Sequence, residues 1–245
     1  RSSKDINFAA SQSWTLNNLY QKLDKVYKRL MVVRSERIKP FTDRKLITAW
    51  NSLMISGLVD AYEATGNDHY RDLAKAAMKT IVHEFKTDYL IPHLIDNSET
   101  TNGFLDDYAF TIKALNDLYQ VTFNEQYLEY SEQLVRKVIE LFKDNKSPYF
   151  FYSIADDRVG QRAIEIQDNS IPSSNAVMAE GLFVLGTILE NEDFKTISQT
   201  MCFNMKSSFV LYGSSFSYWG KTMQYFSDDF YEVAITGKNT ELVHK

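Results

Sequence analysis

Apolar residues recur at helical spacing along most of the chain. One stretch puts Tyr70, Leu73, Ala74, Ala77, Met78, Ile81, Val82 and Phe85 on a single stripe, with Arg71, Asp72, Lys75, Lys79 and Lys86 opposite. This is the pattern of a helix that buries one side. The stripe returns 57 residues later as Tyr127, Ser131, Leu134, Val135, Val138, Ile139 and Phe142. A further 67 residues on it reads Phe194, Ile197, Ser198, Met201, Cys202, Met205 and Phe209. The same aromatic brackets close each copy, so the three form a repeat. Each is preceded by a helix that is apolar around most of its circumference, at residues 46–65, 107–121 and 174–190. On the first of these, Trp50, Leu53, Met54, Ile55, Leu58, Val59 and Ala61 leave little polar face, which predicts burial on several sides.

The repeating unit is therefore an inner helix, a tight link and an outer amphipathic helix, with hairpins at 46–85, 107–142 and 174–209. An outer-type helix is expected upstream at about 15–35, on the stripe Leu16, Leu19, Tyr20, Leu23, Val26, Tyr27, Leu30 and Met31, and a partial fourth unit at 218–236. Strand-like pieces fall at 89–95, 149–154 and 230–236. Inner-to-outer links are short (Thr65-Gly66-Asn67, Thr122-Phe123-Asn124, Glu190-Asn191-Glu192), whereas outer-to-inner links are long. The long loops then share one face with the N-terminal ends of every inner helix, where unpaired N–H groups converge. The fold class expected is all-α: α/α hairpins forming part of an (α/α)6 toroid, with short β-hairpin insertions and residues 1–245 as one toroid fragment. An open solenoid is the rival arrangement.

Composition narrows the chemistry. The chain has 245 residues, is 44% hydrophobic and carries a net charge of −5 without a long basic run, which argues against nucleic acid as a partner. Its single cysteine, Cys202, excludes an internal disulfide and sits on a buried stripe. No zinc spacing, glycine-rich phosphate loop or Ser-His-Asp motif is present, and no metal or cofactor is expected. The longest nearly apolar run, residues 176–189, is too short to cross a bilayer, so a reduced, cytoplasmic setting fits. The chain opens on Arg1 rather than Met, as a segment of a longer protein would.

Aligning the repeats gathers one set of side chains at the inner-helix starts. Trp50 and Asn51 match Asp107 and Tyr108, which match Ser174 and Asn175. Lys39, Asp43 and Lys45 lie near the first, Asp106 near the second, and Asp168, Asn169 and Ser173 near the third, with His93 in the first long loop. Aromatic, amide, hydroxyl and acidic groups round a rim suit a sugar. Structural readings stand beside these. Asp106 and Asp107 suit first-turn acids, Ser173, Ser174 and Asn175 suit caps, and Trp50 suits the core. His93, in an apolar strand-like run, serves either as an acid–base group or as a structural histidine. Asn51, an amide on an apolar helix, needs a partner or a cavity. Glu180 is expected to pair with a polar neighbour, and Asp156-Asp157-Arg158 reads as a solvated turn.

Three motifs carry a family resemblance: Lys39-Pro40 through Asp43, Lys45 and Leu46 to Trp50-Asn51-Ser52-Leu53-Met54-Ile55; Gly103-Phe104-Leu105-Asp106-Asp107-Tyr108-Ala109; and Ile171-Pro172-Ser173-Ser174-Asn175. From Lys39 to Gly237 the chain resembles the later toroid of the spermatogenesis-associated thioredoxin-like proteins and their bacterial homologues. That family joins an N-terminal thioredoxin-like domain to an (α/α)6 toroid. It usually has an acid at Thr42 and glycine at Ser52 and Ser174, so a paired carboxylate at Thr42/Asp43 is lost here. The toroid is similar to those of N-acylglucosamine 2-epimerases, cellobiose epimerases and six-hairpin glycosidases, which implies sugar chemistry by analogy of fold. The resemblance also implies a thioredoxin-like domain upstream in the parent chain.

Two functions follow as expectations. In the first, a carbohydrate-active domain works by epimerisation, isomerisation or hydrolysis. Asp107, His93, Asp106 and Asp43 are the candidate catalytic groups, and Trp50, Asn51, Tyr108, Ser173, Asn175, Lys45 and Asp168 the candidate sugar ligands. In the second, the helices are a non-catalytic scaffold for a protein or redox client. Exposed apolar ends of an incomplete ring would favour self-association, and no membrane partner is expected.

Overall fold

The computed structural model describes residues 3–85, 87–95, 101–155, 161–227, 230, 231 and 233. The turn expected at 156–158 and most of the strand-like piece at 230–236 lie outside the described residues. Where the sequence pattern treats the chain as one fragment, its contacts divide it into two compact units, residues 1–44 and 45–245. The first unit holds α1 (Ser3–Ser11) and α2 (Leu16–Ser35). The Thr15 hydroxyl caps α2 by accepting the Asn18 N–H at 3.2 Å. Along the stripe of α2, Leu19 is buried while Leu23, Val26, Tyr27, Leu30 and Met31 are exposed.

The second unit runs β1 (Leu46–Ile47), α3 (Thr48–Thr65), α4 (Asp68–His83), β2 (Leu94–Ile95), α5 (Leu105–Thr122), α6 (Gln126–Phe142), α7 (Ser174–Ile188), α8 (Glu192–Tyr212) and α9 (Ser217–Gln224). The inner helices α3, α5 and α7 stand side by side with α5 in the middle, each backed by its outer partner α4, α6 or α8. Helix α9 packs against α7 and α8. This is the α/α-hairpin architecture of a partial toroid.

The three tight links share one device. Gly66, Phe123 and Glu190 each adopt left-handed backbone, with φ of 65°, 54° and 53°. The asparagine that follows each one (Asn67, Asn124, Asn191) turns its side-chain oxygen onto the first N–H groups of the outer helix at 3.1–3.2 Å. An αL stop followed by an Asx cap turns the chain through a helical hairpin in very few residues. Helix contact repeats too, because Ala74, Ser131 and Ser198 occupy equivalent places on the outer helices and are fully buried. Ser131 Oγ donates to Asn116 Oδ1 at 2.6 Å and Ser198 Oγ to the Ala179 carbonyl at 2.6 Å, so small residues let the paired helices approach.

Helices α5 and α7 are buried on nearly every side. On α3, by contrast, Trp50 is 62% exposed and Met54 is exposed below it, since among the described residues of this unit α3 packs mainly on α4, α5 and the adjoining strand. The apolar circumference read from its sequence is therefore buried along one side only.

The β-structure departs from expectation. Residues 46–47 form β1 rather than the first turn of α3, and they pair antiparallel with β2, Leu46 opposite Ile95 and Ile47 opposite Leu94. The 89–95 piece thus braces the start of α3, and it also pairs antiparallel with residues 101–103 through a bridge between Pro92 and Asn102 and the His93 N–H donated to the Thr101 carbonyl at 3.0 Å. The 149–154 piece makes a single bridge, Phe150 to Lys143. Beyond the ladder, the Thr48 N–H donates to the His93 carbonyl at 3.0 Å, and the Thr48 hydroxyl donates to the Pro92 carbonyl at 2.6 Å.

Gly103 completes the brace. Its N–H donates to the Ile91 carbonyl at 2.8 Å, and a Cβ there would stand 2.7 Å from that oxygen. Gly103→Ala is accordingly expected to lower stability by about 1–3 kcal/mol through backbone displacement, read as a lower urea midpoint at unchanged slope. An unchanged midpoint would show that the loop is not tied to α5 in this way.

Candidate functional site

Asp107, the third residue of α5, is 0% exposed and accepts hydrogen bonds from three directions. Its Oδ2 takes the Phe104 N–H at 2.9 Å, satisfying a donor at the start of its own helix. Its Oδ1 takes the Ala49 N–H at 2.9 Å, at the start of α3. Oδ2 also meets His93 Nδ1 at 2.9 Å. One carboxylate thus ties together two inner-helix N-termini and the loop between them. Burial, and then the neighbouring charge of Asp106, push its pKa up to about 6 against the pull of the His93 and Phe104 donors.

His93 is oriented by that bond. Its ring is held through Nδ1, which places the basic lone pair of the neutral imidazole on Nε2. The side chain is 23% exposed, so it can be reached from outside. Asp106, one residue before Asp107, is only half-buried. Its Oδ1 accepts the Asp107 N–H at 3.0 Å and its Oδ2 accepts the Tyr152 hydroxyl at 3.3 Å. Burial raises the Asp106 pKa, opposed by the Asp107 N–H, the Tyr152 hydroxyl and His93. Consecutive residues on a helix point about 100° apart, which is why Asp106 faces the rim while Asp107 faces inward.

The remaining predicted residues divide. Trp50 stands exposed on α3. The Asn51 amide donates to the Ile47 carbonyl at 2.8 Å, so its partner is local. Tyr108 is 1% exposed, its hydroxyl accepting the Ile91 N–H at 3.1 Å and its ring packed edge-on against Phe142. Asn175 is fully buried and staples the long loop before α7: Oδ1 accepts the Phe150 N–H at 2.8 Å, and Nδ2 donates to the carbonyls of Phe150 and Glu165 at 3.0 and 2.9 Å. Ser173 caps α7 through the Ala176 N–H at 3.4 Å. Asp168 accepts the Ser173 N–H at 2.9 Å and the Tyr218 N–H at 2.8 Å, joining the start of α7 to that of α9. Lys45 is exposed ahead of β1, and Asp43 belongs to the first unit. The expectation that tryptophan, amide, acid and hydroxyl open into one hollow thus meets a correction, because Tyr108 and Asn175 turn into packing.

Two groups at the rim escaped the sequence pattern. Phe104 meets His93 edge-on with centroids 5.0 Å apart, and Tyr152 stacks on Phe104 at 5.1 Å. The aromatic-rich 149–154 run was the available signal. Glu180 pairs as expected: it accepts the Tyr218 and Tyr225 hydroxyls and the Lys221 ammonium, the last at 2.6 Å. Of the positions that depart from the family pattern, Ser52 bonds Thr111 at 2.8 Å, whereas the buried Ser174 hydroxyl has no hydrogen-bond partner among the described residues. Among the described residues no group of three or more His, Cys, Asp or Glu could hold a metal, and no helix is long and apolar enough to cross a membrane.

Hairpins in this order with an acid–histidine pair at the inner-helix rim define part of an α/α-toroid domain. The chain is homologous to a segment of spermatogenesis-associated protein 20. The human protein of that name is 31% identical over 180 residues, covering 68% of this chain and 23% of the human one. An uncharacterized Caenorhabditis elegans protein is 31% identical over 201 residues, 78% of this chain and 27% of that protein. The chain therefore spans about a quarter of the length of these relatives. No protein-family model matches it. Among solved structures, the glycoside hydrolase family 76 α-mannanase of Bacteroides thetaiotaomicron superposes with a TM-score of 0.58 at 16% identity, over 71% of this chain and 46% of that one. Cellobiose 2-epimerase of Bacillus thermoamylovorans gives 0.55 at 16% identity, over 67% and 45%. An α-1,6-mannanase of Salegentibacter, made inactive by replacing two consecutive aspartates and bound to mannotriose, gives 0.53 at 10% identity, over 64% and 46%. At these identities the likeness is one of fold.

Asp107→Asn is expected to lower stability by about 2–3 kcal/mol, because an amide accepts through one oxygen only and turns its NH2 toward the donors on the other side. It is also expected to change the pH dependence. The folded carboxyl titrates at about 6 and the unfolded one at about 3.9, so the folded state holds the extra proton between them. Stability therefore falls as pH rises through that window. Urea titrations from pH 4 to 7 should show this slope in the wild type and its loss in the variant, and equal slopes would contradict the assignment.

Proposed function

We propose that the rim is the acid–base centre of a sugar epimerase or isomerase. The observation that carries this reading is the bond between His93 Nδ1 and the buried Asp107, beside the half-buried Asp106. His93 Nε2 removes the proton from the carbon next to the carbonyl of an open-chain sugar, and the C–H electron pair passes into the carbonyl as an enediolate. Asp106 in its protonated form supplies the proton that completes the transfer. Asp107 orients His93 and stabilises the imidazolium without touching the sugar. Trp50 offers an exposed aromatic face for the pyranose. The likeness to cellobiose 2-epimerase supports this by fold. The same reading places the protein in the cytoplasm and takes a small carbohydrate, rather than nucleic acid, as its partner.

Hydrolysis is the second reading, favoured by the consecutive aspartates whose replacement inactivates the mannanase. Asp106 and Asp107 are likewise consecutive. Two-carboxylate hydrolysis needs both acids within reach of the bond, about 5–5.5 or 6.5–9.5 Å apart, and here Asp107 is sealed from solvent with both oxygens engaged. Proton transfer by His93 and Asp106 fits the geometry better.

The test is to incubate the intact protein in D2O with mannose, N-acetylglucosamine and cellobiose and follow the C2 proton by NMR. The expected result is exchange at C2 of at least one sugar, slowed by about 100-fold or more in His93→Gln. No binding at millimolar concentration and no exchange would leave the scaffold reading in its place.

A further inference from the structure

Resting on the acid–base reading above, we infer that Tyr152 is a positioning residue of the rim site, its phenol holding Asp106 in the orientation from which it works with His93. Tyr152 lies in the long loop between α6 and α7, far in sequence from both partners, and the backbone fixes it from two sides. Its carbonyl accepts the Leu105 N–H at the first residue of α5 (2.8 Å), and its N–H donates to the Ala163 carbonyl (2.8 Å). Its ring lies nearly parallel to that of Phe104, tilted by 8°, and Phe104 in turn meets His93 edge-on. The hydroxyl then reaches Asp106 Oδ2 at 3.3 Å. One stack of three rings therefore spans the distance between the acid and the base, and a shift of the loop would move both.

The hydrogen bond also has a chemical direction. Burial and the charges of Asp106 and Glu165 keep the Tyr152 phenol protonated throughout the physiological range, so it acts as a donor. A donor on Oδ2 stabilises the ionised acid. Burial disfavours the ionisation of Asp106, whereas the Asp107 N–H and His93, like Tyr152, favour it. Tyr152 is the part of this balance that comes from outside α5 and its capping loop.

The experiment compares Tyr152→Phe with the wild-type intact protein. Phenylalanine keeps the ring stack and both backbone bonds and removes only the hydroxyl. The Asp106 carboxyl is titrated by 13C NMR, with Asp106→Asn assigning its signal and a thermal melt confirming that each variant folds. The inference predicts that the Asp106 midpoint rises by about half a unit to one unit. The Asp106-dependent limb of the C2-exchange pH profile should move with it while KM stays the same. An unmoved midpoint overturns the inference whatever the sugar assay gives. A moved midpoint with no exchange on any sugar overturns the sugar reading and leaves the hold of Tyr152 on Asp106 standing.

Discussion

A buried carboxylate is costly unless donors surround it, and the rim of this molecule is built round that requirement at Asp107. The three N–H groups that satisfy it come from the start of α5, the start of α3 and the His93 ring. None of the three could shift alone without leaving a buried charge short of a partner. The strand pair β1–β2, the glycine contact at Ile91 and the Thr48 bonds to the 92–93 backbone all serve the same closure. Rigidity at the rim is thus a consequence of electrostatics, with the helix packing below supplying the platform.

That closure decides which side chains remain for chemistry. Asp107, Tyr108 and Asn175 are spent on holding backbone, while His93, Asp106 and Trp50 keep an open side. The motif Gly103-Phe104-Leu105-Asp106-Asp107-Tyr108 then divides by role. Glycine allows the close approach, Phe104 carries the ring stack, Asp106 faces out, Asp107 closes the brace, and Tyr108 locks the 91 position. Adjacent residues with opposite duties follow from the angular step of a helix.

Much of this was legible in the sequence. The stripes at 70–85, 127–142 and 194–209 mark the outer helices, and the short links with asparagine after the turn mark the hairpins, because both depend on local spacing. The candidates at the rim were legible as a set, since the repeat register aligns the inner-helix starts. Which of them face inward was not, because Tyr108 and Asn175 are buried by loops that come from 17 and 25 residues away along the chain. The role of Tyr152 depends on a contact with Asp106 spanning 46 residues. Residues 46–47 read as helix for a similar reason, since their strand partner at 94–95 lies in another loop.

The central claim is that Asp107 holds His93 as a base with its lone pair on Nε2. Long-range 1H–15N correlation of the histidine rings at neutral to mildly alkaline pH reads this directly. The account predicts that His93 is the Nδ1–H tautomer, with Nε2 at the shift of an unprotonated nitrogen, and that this preference is lost in Asp107→Asn. A His93 ring protonated on Nε2, or one that averages between tautomers in the wild type, would contradict it.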